Sequence, residues 1–413
     1  MTRKHALIIG AGVAGLAAAW WLKRIGWRTT LLERAPDLRA DGYVIGLSGP
    51  GYEVARLMGI LPELKQHGRE VDENIYYDRQ GREVLRLRYR EFLRRLDWVG
   101  LVRTELVRIL YELVKEETEI RFATTLAGFD ARADGVTARL RDGTEIEADL
   151  LIGADGVHSQ TRRLLFDREG EVYQPLGYRV AAFQAQDTIG LDRDFLSYVE
   201  PGRMGEFYSI GGGKLATLYV WRTDARDIVP PERKAAVLRE AFAEAHPESL
   251  RWIDERSDGE PLFLDTLLMV DQPHWSRGRV LLLGDSAHCL TLLSGQGAGM
   301  ALTSACILAE ELHKGDAIEA ALARHEERLR PAIRRLQLRS RNMAAWFIPA
   351  TPFGFRLRNV IMRLMPRWVL GWYFLQTAKS VLKDCGVPLE NVAPPELGLI
   401  RRPSGLKGGG SAS

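Results

Sequence analysis

The feature that most constrains the fold is a glycine-rich turn between a short apolar run and a helix-forming stretch near the N-terminus. The run His5–Ile9 is bounded by glycine, which is typical of a buried parallel strand. Helix formers begin at Ala14, and Arg28–Glu33 follows as a second strand. This order predicts a β-α-β unit whose first turn, Gly10-Ala-Gly-Val-Ala-Gly15, approaches a phosphate group.

Each of the three glycines in this turn has its own physical role. Gly10 permits the tight turn, Gly12 lets a pyrophosphate approach the backbone, and Gly15 lets the helix pack closely on the sheet. The helix that begins at Ala14 offers unpaired amides and a partial positive charge to the phosphates. Glu33 ends the second strand, where a carboxylate can accept both ribose hydroxyls. Such a motif alone serves NAD as well as FAD, or is merely a tight turn.

Two later segments repeat the pattern of an apolar strand that ends in an acidic turn. The first runs from Leu150 to Gly156 and continues as Asp-Gly-x-x-Ser-x-x-Arg, with Asp155 at its start and Arg162 at its end. These two charged groups are expected to hold the turn through charge-assisted hydrogen bonds, and a direct cofactor contact by Asp155 is an equally open alternative. The second segment runs from Arg279 to Asp285.

A further glycine pair follows the second acidic turn. Gly295-Gln-Gly297 begins a predicted helix that continues through Ala298 to Leu312. Glycines here allow a flat group to approach the backbone, since a side chain would block it. The amide-rich end of such a helix favours negative charge.

The order and wide spacing of the three segments resemble the class A flavoprotein monooxygenases, the para-hydroxybenzoate hydroxylase superfamily, including its tetracycline-inactivating branch. The resemblance implies an α/β fold with a Rossmann-like FAD-binding domain, an interleaved β-sheet substrate domain and a C-terminal helical segment. It implies FAD as cofactor and NAD(P)H as co-substrate. It also implies that the reduced flavin captures O2 as a flavin hydroperoxide, which hydroxylates or epoxidises an aromatic or polyketide-like small molecule.

The resemblance also assigns roles to single residues. It places Glu33 on the adenosine ribose, Arg34 by the adenine, and Asp285 on the ribityl chain of FAD. Arg103 would contact the flavin nucleotide from a helix start, with a solvated helix cap as the alternative. The helix after Gly297 would face the pyrimidine edge of the isoalloxazine. The complete expected cofactor set is Gly10, Gly12, Ala14, Gly15, Glu33, Arg34, Arg103, Asp155, Asp285, Gly295, Gly297 and Ala298.

The chain departs from the family pattern near that last helix. Relatives commonly have proline between the acidic turn and the glycine pair and asparagine after it, whereas this chain has Thr291-Leu-Leu293 and Gly299. An apolar, reshaped loop over the flavin is therefore expected. His288 and Cys289 lie beside the turn, but the family uses neither as a nucleophile, so no catalytic residue is assigned and no metal is expected.

The length of 413 residues predicts more than one hydrophobic core. We expect a discontinuous FAD-binding domain at 1–173 and 267–340, a substrate domain at 174–266, a helical segment at 341–402 and a flexible tail at 403–413. The substrate domain is expected to consist of extended segments. Five of its aromatic residues are expected to line the substrate pocket, although aromatic residues in strands often form plain core: Phe183, Phe207, Tyr208, Tyr219 and Trp221.

Other functions of the same fold stay open at this level. Flavin halogenases and isoprenoid reductases share the N-terminal motif, but Trp346-Phe-Ile-Pro349 lacks the spacing of the halogenase signature. A non-catalytic flavin- or drug-binding protein is the alternative from a different class.

The C-terminal part of the chain is strongly basic. Residues 320–402 hold 15 Arg and Lys against 5 Asp and Glu. A helix packed across both domains is the favoured interpretation, and weak contact with an anionic membrane is the alternative. Nucleic-acid binding has no motif beyond charge and is not expected. The three cysteines, Cys289, Cys306 and Cys385, lack metal-ligand spacing and suit a reduced, cytoplasmic setting. The oligomeric state is left open.

Overall fold

A computed structural model of the chain describes residues 3–38, 43–93, 97–166, 172–225, 227–256, 261–366, 369, 376 and 379–386. The strands are β1 His5–Ile9, β2 Arg28–Leu32, β3 Val44–Ser48, β4 Asn74–Tyr77, β5 Glu83–Leu87, β6 Trp98–Val102, β7 Glu119–Arg121, β8 Leu126–Ala131, β9 Val136–Leu140, β10 Glu145–Ala148, β11 Leu150–Gly153, β12 Tyr173–Gln186, β13 Phe195–Glu200, β14 Arg203–Gly211, β15 Lys214–Arg222, β16 Phe263–Val270, β17 Ser276–Arg277 and β18 Val280–Leu282. The helices are α1 Val13–Arg24, α2 Pro50–Leu57, α3 Leu61–His67, α4 Tyr89–Leu93, α5 Arg103–Val114, α6 Gln160–Phe166, α7 Lys234–Phe242, α8 Pro247–Asp254, α9 Asp285–His288, α10 Gly297–His313, α11 Ile318–Phe347 and α12 Pro352–Leu364.

A six-stranded sheet carries the glycine-rich turn. Its order is β17-β18-β11-β1-β2-β7, and all neighbours are parallel except β17 and β18. Because β1, β11 and β18 lie side by side and run the same way, their carboxyl ends meet at one edge of the sheet. The three turns that the sequence singles out therefore lie together at that edge.

A seven-stranded sheet forms the second layer of the molecule. Its order is β16-β12-β15-β14-β13-β4-β5, antiparallel except for the parallel pair of β13 with β4. Strands β4 and β5 come from residues 74–87, so this sheet takes in two strands from the range 1–173. It is thus assembled from separate parts of the chain.

The two faces of the seven-stranded sheet bury different partners. Side chains of one face pack in a core with α7 and α8, through Phe242 and Trp252. The other face packs with Leu292, beside the acidic turn of α9, and with Ile348 and Phe355 of the C-terminal part. Alternate residues of each strand point to opposite faces, so sequence position fixes which partner a residue meets.

The described residues of the C-terminal part pack against both sheets' cores. Val381, Leu382 and Cys385 are buried in the core of the six-stranded sheet, and Arg328 of α11 donates to the Cys385 carbonyl at 2.9 Å. Ile348 lies in the core of the seven-stranded sheet. Residues 387–402 and the expected tail at 403–413 lie outside the described residues. Within the described residues, no helix combines the length and apolar character needed to cross a bilayer.

Candidate active site

The glycine-rich turn is held in shape by steric contact with the neighbouring turn. Gly10 has φ +108°, and a Cβ there would come within 3.0 Å of the Ala154 carbonyl oxygen. A Cβ at Gly15 would come within 3.0 Å of the Gly10 carbonyl oxygen, so only glycine allows α1 to pack here. Gly12 has no atom within 4 Å of its Cβ position, which leaves its backbone open to the cleft.

Glu33 fastens this turn to the end of β2. Its carboxylate accepts from the backbone N–H of Ala11 at 2.8 Å and of Ala35 at 2.9 Å. An ionised carboxylate has about four acceptor positions, so two remain for ligand hydroxyls. Glu33 therefore preorganises the turn and still faces the cleft.

The Asp155 turn and the Asp285 turn are tied together by one buried arginine. Arg162 donates to the Val157 carbonyl at 2.7 Å and to the Ser286 carbonyl at 2.8 Å. Asp155 does not pair with it, because its oxygens accept from Ser159 and from the Thr161 backbone N–H. The expected charge-assisted bonds are thus present, but they run to the backbone and to α6 rather than between Asp155 and Arg162.

Asp285 and Arg103 both line the cleft and interact electrostatically. Asp285 begins α9 after Gly284, which has φ +66°, and Arg103 begins α5. Desolvation in the cleft raises the pKa of the Asp285 carboxyl, and the positive charge of Arg103 offsets part of this rise. The guanidinium of Arg103 has no hydrogen-bond partner among the described residues, which leaves it available to a ligand.

One continuous cleft is lined by seven residues of the expected cofactor set and by the neighbouring Ala11. It is lined by Gly10, Ala11, Gly12, Glu33, Arg34, Arg103, Asp155 and Asp285 from the six-stranded sheet and its helices. Several further lining residues were not expected from the sequence, among them Tyr43, His158, Ala182, Phe263 and Asp265. The alternation of Phe263 and Asp265 on β16, with Leu264 turned to the other face, was the signal available for two of them.

The other expected cofactor residues are not among those that line the cleft. Ala14 is buried against Gly284, since a Cβ at Gly284 would come within 3.0 Å of the Ala14 Cβ. Gly295 is left-handed, with φ +62°, and ends the short turn before α10. Gly297 begins α10, with its Cβ position 3.9 Å from Asp285 Oδ1, and Ala298 packs on the core.

The loop that departs from the family pattern contains apolar residues, as expected, and its backbone is strained at Thr291. Thr291 has φ +73° without being glycine, and Leu292 packs into the core of the seven-stranded sheet. Close packing of α2 on α10 requires glycine at position 51, because a Cβ there would come within 3.0 Å of the Gly299 backbone. A Cβ at Gly299 would make only ordinary contact with Gly51, at 3.4 Å, so this packing gives a weaker reason for glycine at 299.

Four of the five expected substrate aromatics require correction. Phe183, Phe207, Tyr219 and Trp221 lie in the core between the seven-stranded sheet and helices α7 and α8, on the face opposite the cleft. The sequence analysis treated residues 174–266 as extended and missed these two helices, which cover that face. Tyr208 is the exception, since its hydroxyl accepts from the Val44 backbone N–H at 2.7 Å on the cleft side.

His288 and Cys289 lie beside the Asp285 turn but are buried away from solvent. Burial lowers the pKa of His288 to about 4, and its ring packs 4.7 Å from the ring of Trp275. Burial raises the pKa of the Cys289 thiol well above its ordinary value. A neutral, enclosed imidazole and an un-ionised thiol suit packing better than nucleophilic attack.

Known proteins resemble this chain in both sequence and fold. Residues 3–340 match the model of a protein family described as "FAD binding domain". Uncharacterized protein MT1298 of Mycobacterium tuberculosis is 31% identical over 342 residues, which cover 81% of this chain and 92% of that protein. A flavin-dependent monooxygenase of an unknown prokaryotic organism is 30% identical over 79% of this chain and 85% of its own length.

Among solved structures, tetracycline destructase Tet(55) is 27% identical and superposes with a TM-score of 0.79 over 94% of this chain and 99% of its own. A nucleotide cleft at the carboxyl edge of a parallel sheet, next to a second sheet, is also the arrangement that the resemblance to the class A flavoprotein monooxygenases implies. The chain belongs to this family of FAD-binding proteins. It is an FAD-dependent oxidoreductase, and the open backbone at Gly12 and the free acceptor positions of Glu33 fit that cofactor.

Replacement of Asp285 by alanine is expected to weaken FAD retention. The change removes a carboxylate acceptor from the cleft wall, and lost hydrogen bonds to a charged group cost about 1.5 to 3 kcal/mol, roughly ten- to a hundredfold in affinity. Titration of the apoprotein with FAD, followed by flavin fluorescence, measures the change. Asp271→Ala is the matched control because Asp271 is exposed and outside the cleft. Equal FAD affinity in Asp285→Ala and wild type would contradict the assignment.

Acid is expected to destabilise the protein through two buried histidines behind the same turn. Burial lowers the pKa of His288 to about 4 and of His325 to about 3. The unfolded chain binds protons at these sites near pH 6.5, whereas the folded chain does not, so stability rises with pH in this window. Between pH 7 and pH 5.5 the two sites should lower the free energy of unfolding by roughly 2 kcal/mol.

Urea unfolding at a series of pH values tests this expectation. His325→Gln should flatten the pH dependence, whereas the exposed His274→Gln should leave it as in wild type. A free energy of unfolding that stays constant down to pH 5.5 would show that these imidazoles take up protons without unfolding.

Proposed function

We propose that the protein is a monooxygenase that uses NAD(P)H and O2 to hydroxylate or epoxidise an aromatic or polyketide-like small molecule. The observation that carries the proposal is the two-walled cleft. Asp285 and Arg103 line one wall, and Ala182 and Phe263 of the seven-stranded sheet line the other. A planar substrate in this space would lie between a flavin and an apolar sheet.

The nucleotide end of the cleft would hold FAD by backbone amides and two carboxylates. The amides at Gly10–Gly12 and the N-terminus of α1 would bind the pyrophosphate, since helix N-termini favour anions. Glu33 would accept the adenosine ribose hydroxyls, with Arg34 by the adenine, and Asp285 would accept the ribityl hydroxyls. Bound FAD, reduced by NAD(P)H, supplies the activation of O2 and the transfer of one oxygen atom.

The chain's own residues would orient the reactants and exclude water. Arg103 supplies positive charge near Asp285, and α10 begins at Gly297, whose Cβ position lies 3.9 Å from Asp285 Oδ1. Leu292, shortly before this helix start, packs on the core of the seven-stranded sheet. A dry, closed site limits the unproductive breakdown of reactive oxygen species on the cofactor.

The proposal is tested by substrate-stimulated NAD(P)H consumption with product mass analysis. The FAD-loaded protein is mixed with NADPH or NADH and a panel of phenols and polycyclic aromatic compounds, and hydrogen peroxide is measured in parallel to separate uncoupled oxidation. We expect at least one compound to accelerate NAD(P)H consumption and to gain one oxygen atom. A product that gains a halogen when chloride or bromide is added would favour a halogenase. If no compound stimulates consumption or changes mass, the proposal is wrong.

A further inference from the structure

Tyr43 lies where the two walls of the cleft meet. It comes directly before β3, and its backbone carbonyl accepts from the Arg103 backbone N–H at 3.0 Å. Its ring lies 6.4 Å from the ring of Phe263 on β16, at an angle of 46°. Both aromatic residues line the cleft. A backbone contact on one side and a ring contact on the other therefore limit where the Tyr43 hydroxyl can point.

The Tyr43 hydroxyl lies close to charged groups of the cleft but forms no hydrogen bond with them. The charges of Arg103 and of Asp285 both act on this hydroxyl, so it lies near both side chains. It has no hydrogen-bond partner among the described residues. The neighbouring Tyr208 differs, because its hydroxyl accepts from the Val44 backbone N–H at 2.7 Å. A desolvated hydroxyl without a partner costs free energy, so the Tyr43 hydroxyl is a candidate for contact with a ligand.

The polar groups around Tyr43 suit a ligand that carries several hydroxyl groups. Burial raises the pKa of the Tyr43 phenol; the positive charge of Arg103 opposes this rise, and the charge of Asp285 adds to it. A neutral phenol can donate and accept, a guanidinium can only donate, and an ionised carboxylate can only accept. Sugar-alcohol hydroxyls also donate and accept, so the ribityl chain of FAD matches this mixed set of partners.

We propose that the Tyr43 hydroxyl forms a hydrogen bond to the flavin half of FAD, beside Asp285 and Arg103. Tyr43 is then a cofactor-binding residue that lies outside all three glycine-containing turns. This inference goes beyond the proposed function, because it concerns how the cofactor is held and is independent of the substrate and the reaction. It rests on the proposed orientation of FAD, with its adenosine at Glu33.

The test compares two ligands that fill different lengths of the cleft. FAD would extend from Glu33 to Asp285, whereas ADP has the adenosine and two phosphates but lacks the ribityl chain and the flavin. Binding of each ligand to the apoprotein is measured by calorimetric titration, and displacement of FAD by ADP at millimolar concentration shows that both occupy one cleft. Tyr43→Phe keeps the ring beside Phe263 and removes only the hydroxyl. This variant should bind FAD roughly two- to tenfold more weakly than wild type and should bind ADP equally well.

The melting temperature of the apoprotein separates a ligand contact from a structural one. The Tyr43 hydroxyl bonds to no described residue, so Tyr43→Phe should melt at the wild-type temperature. Tyr208→Phe is the structural contrast, because it removes the acceptor of the Val44 N–H and should lower the melting temperature. Tyr77→Phe is the matched control, since Tyr77 lies on β4 and is not among the residues that line the cleft. It should bind FAD and ADP as wild type does.

The inference and the proposed function fail in different experiments. Equal FAD affinity in Tyr43→Phe and wild type would show that the hydroxyl does not bind the cofactor. An equal loss of affinity for FAD and ADP, or a lower melting temperature of the Tyr43→Phe apoprotein, would show that the hydroxyl supports the protein instead. If Tyr43→Phe behaves as expected but no compound gains oxygen, the cofactor contact stands and the proposed reaction fails.

Discussion

Replacement of Gly15 by valine is expected to give a colourless protein with little or no bound FAD and a much lower melting temperature. A Cβ at this position comes within 3.0 Å of the Gly10 carbonyl oxygen, which is backbone and cannot rotate away. Accommodation would push α1 off β1 and displace the turn that Glu33 fastens. Overpacking of a closed core costs about 1 to 3 kcal/mol, and a backbone clash costs more.

Gly12→Ala is the matched control for this experiment. Gly12 has ordinary extended backbone with φ −82° and no atom within 4 Å of its Cβ position. The apoprotein should therefore keep its wild-type melting temperature, while FAD binds more weakly because the new methyl group occupies the approach to the backbone. Calorimetry of both apoproteins and FAD titration measure the contrast. Wild-type FAD content in Gly15→Val would disprove close packing at this turn.

Removal of all residues after Ser340 is expected to destabilise the protein severely. The truncation uncovers the cores of both sheets, because Ile348 and Phe355 pack on one and Val381 and Leu382 on the other. Each fully buried large apolar side chain contributes about 1.5 to 3 kcal/mol, so four of them amount to roughly 6 to 12 kcal/mol. That range is comparable to the whole stability of a typical domain, about 5 to 15 kcal/mol.

Expression yield, urea unfolding and vesicle co-sedimentation measure the effect. The control chain ends at residue 402, which removes only the expected flexible tail and should behave as wild type. We also expect no co-sedimentation of wild type with anionic vesicles at physiological salt. A stable, soluble chain ending at Ser340, together with salt-sensitive vesicle binding by wild type, would favour the membrane alternative for the basic C-terminal part.

The first strand and the three turns of the cofactor cleft could be predicted from the sequence, because residues close together in the chain determine their structure. The strand His5–Ile9 was predicted with its bounds, because a strand buried on both faces gives a continuous apolar run. The three turns of the cofactor cleft were predicted because each contains a glycine with positive φ, namely Gly10, Gly156 and Gly284, a conformation that other residues rarely adopt.

Long-range pairing explains what the sequence did not predict. The orientation of Phe207 depends on α7 and α8, which cover one face of its sheet, whereas its neighbour Tyr208 faces the cleft. Nothing local distinguishes the two aromatic residues. Glu206 acquires its partner Asn74 only because β4 joins β13 in the sheet, over a separation of 132 residues. Such contacts depend on tertiary topology rather than on local periodicity.

The mixed origin of the seven-stranded sheet limits how this protein can be recombined with its relatives. A segment exchanged as 174–266 would leave β4 and β5 behind, so the transferred strand β13 would pair with a foreign β4. Asn74 and Tyr76 would also stay with the donor of the nucleotide cleft. A chimera that keeps this sheet intact therefore has to move residues 74–87 together with 173–270. In inheritance as in engineering, the sheet that faces the cleft comes from two separate stretches of the gene.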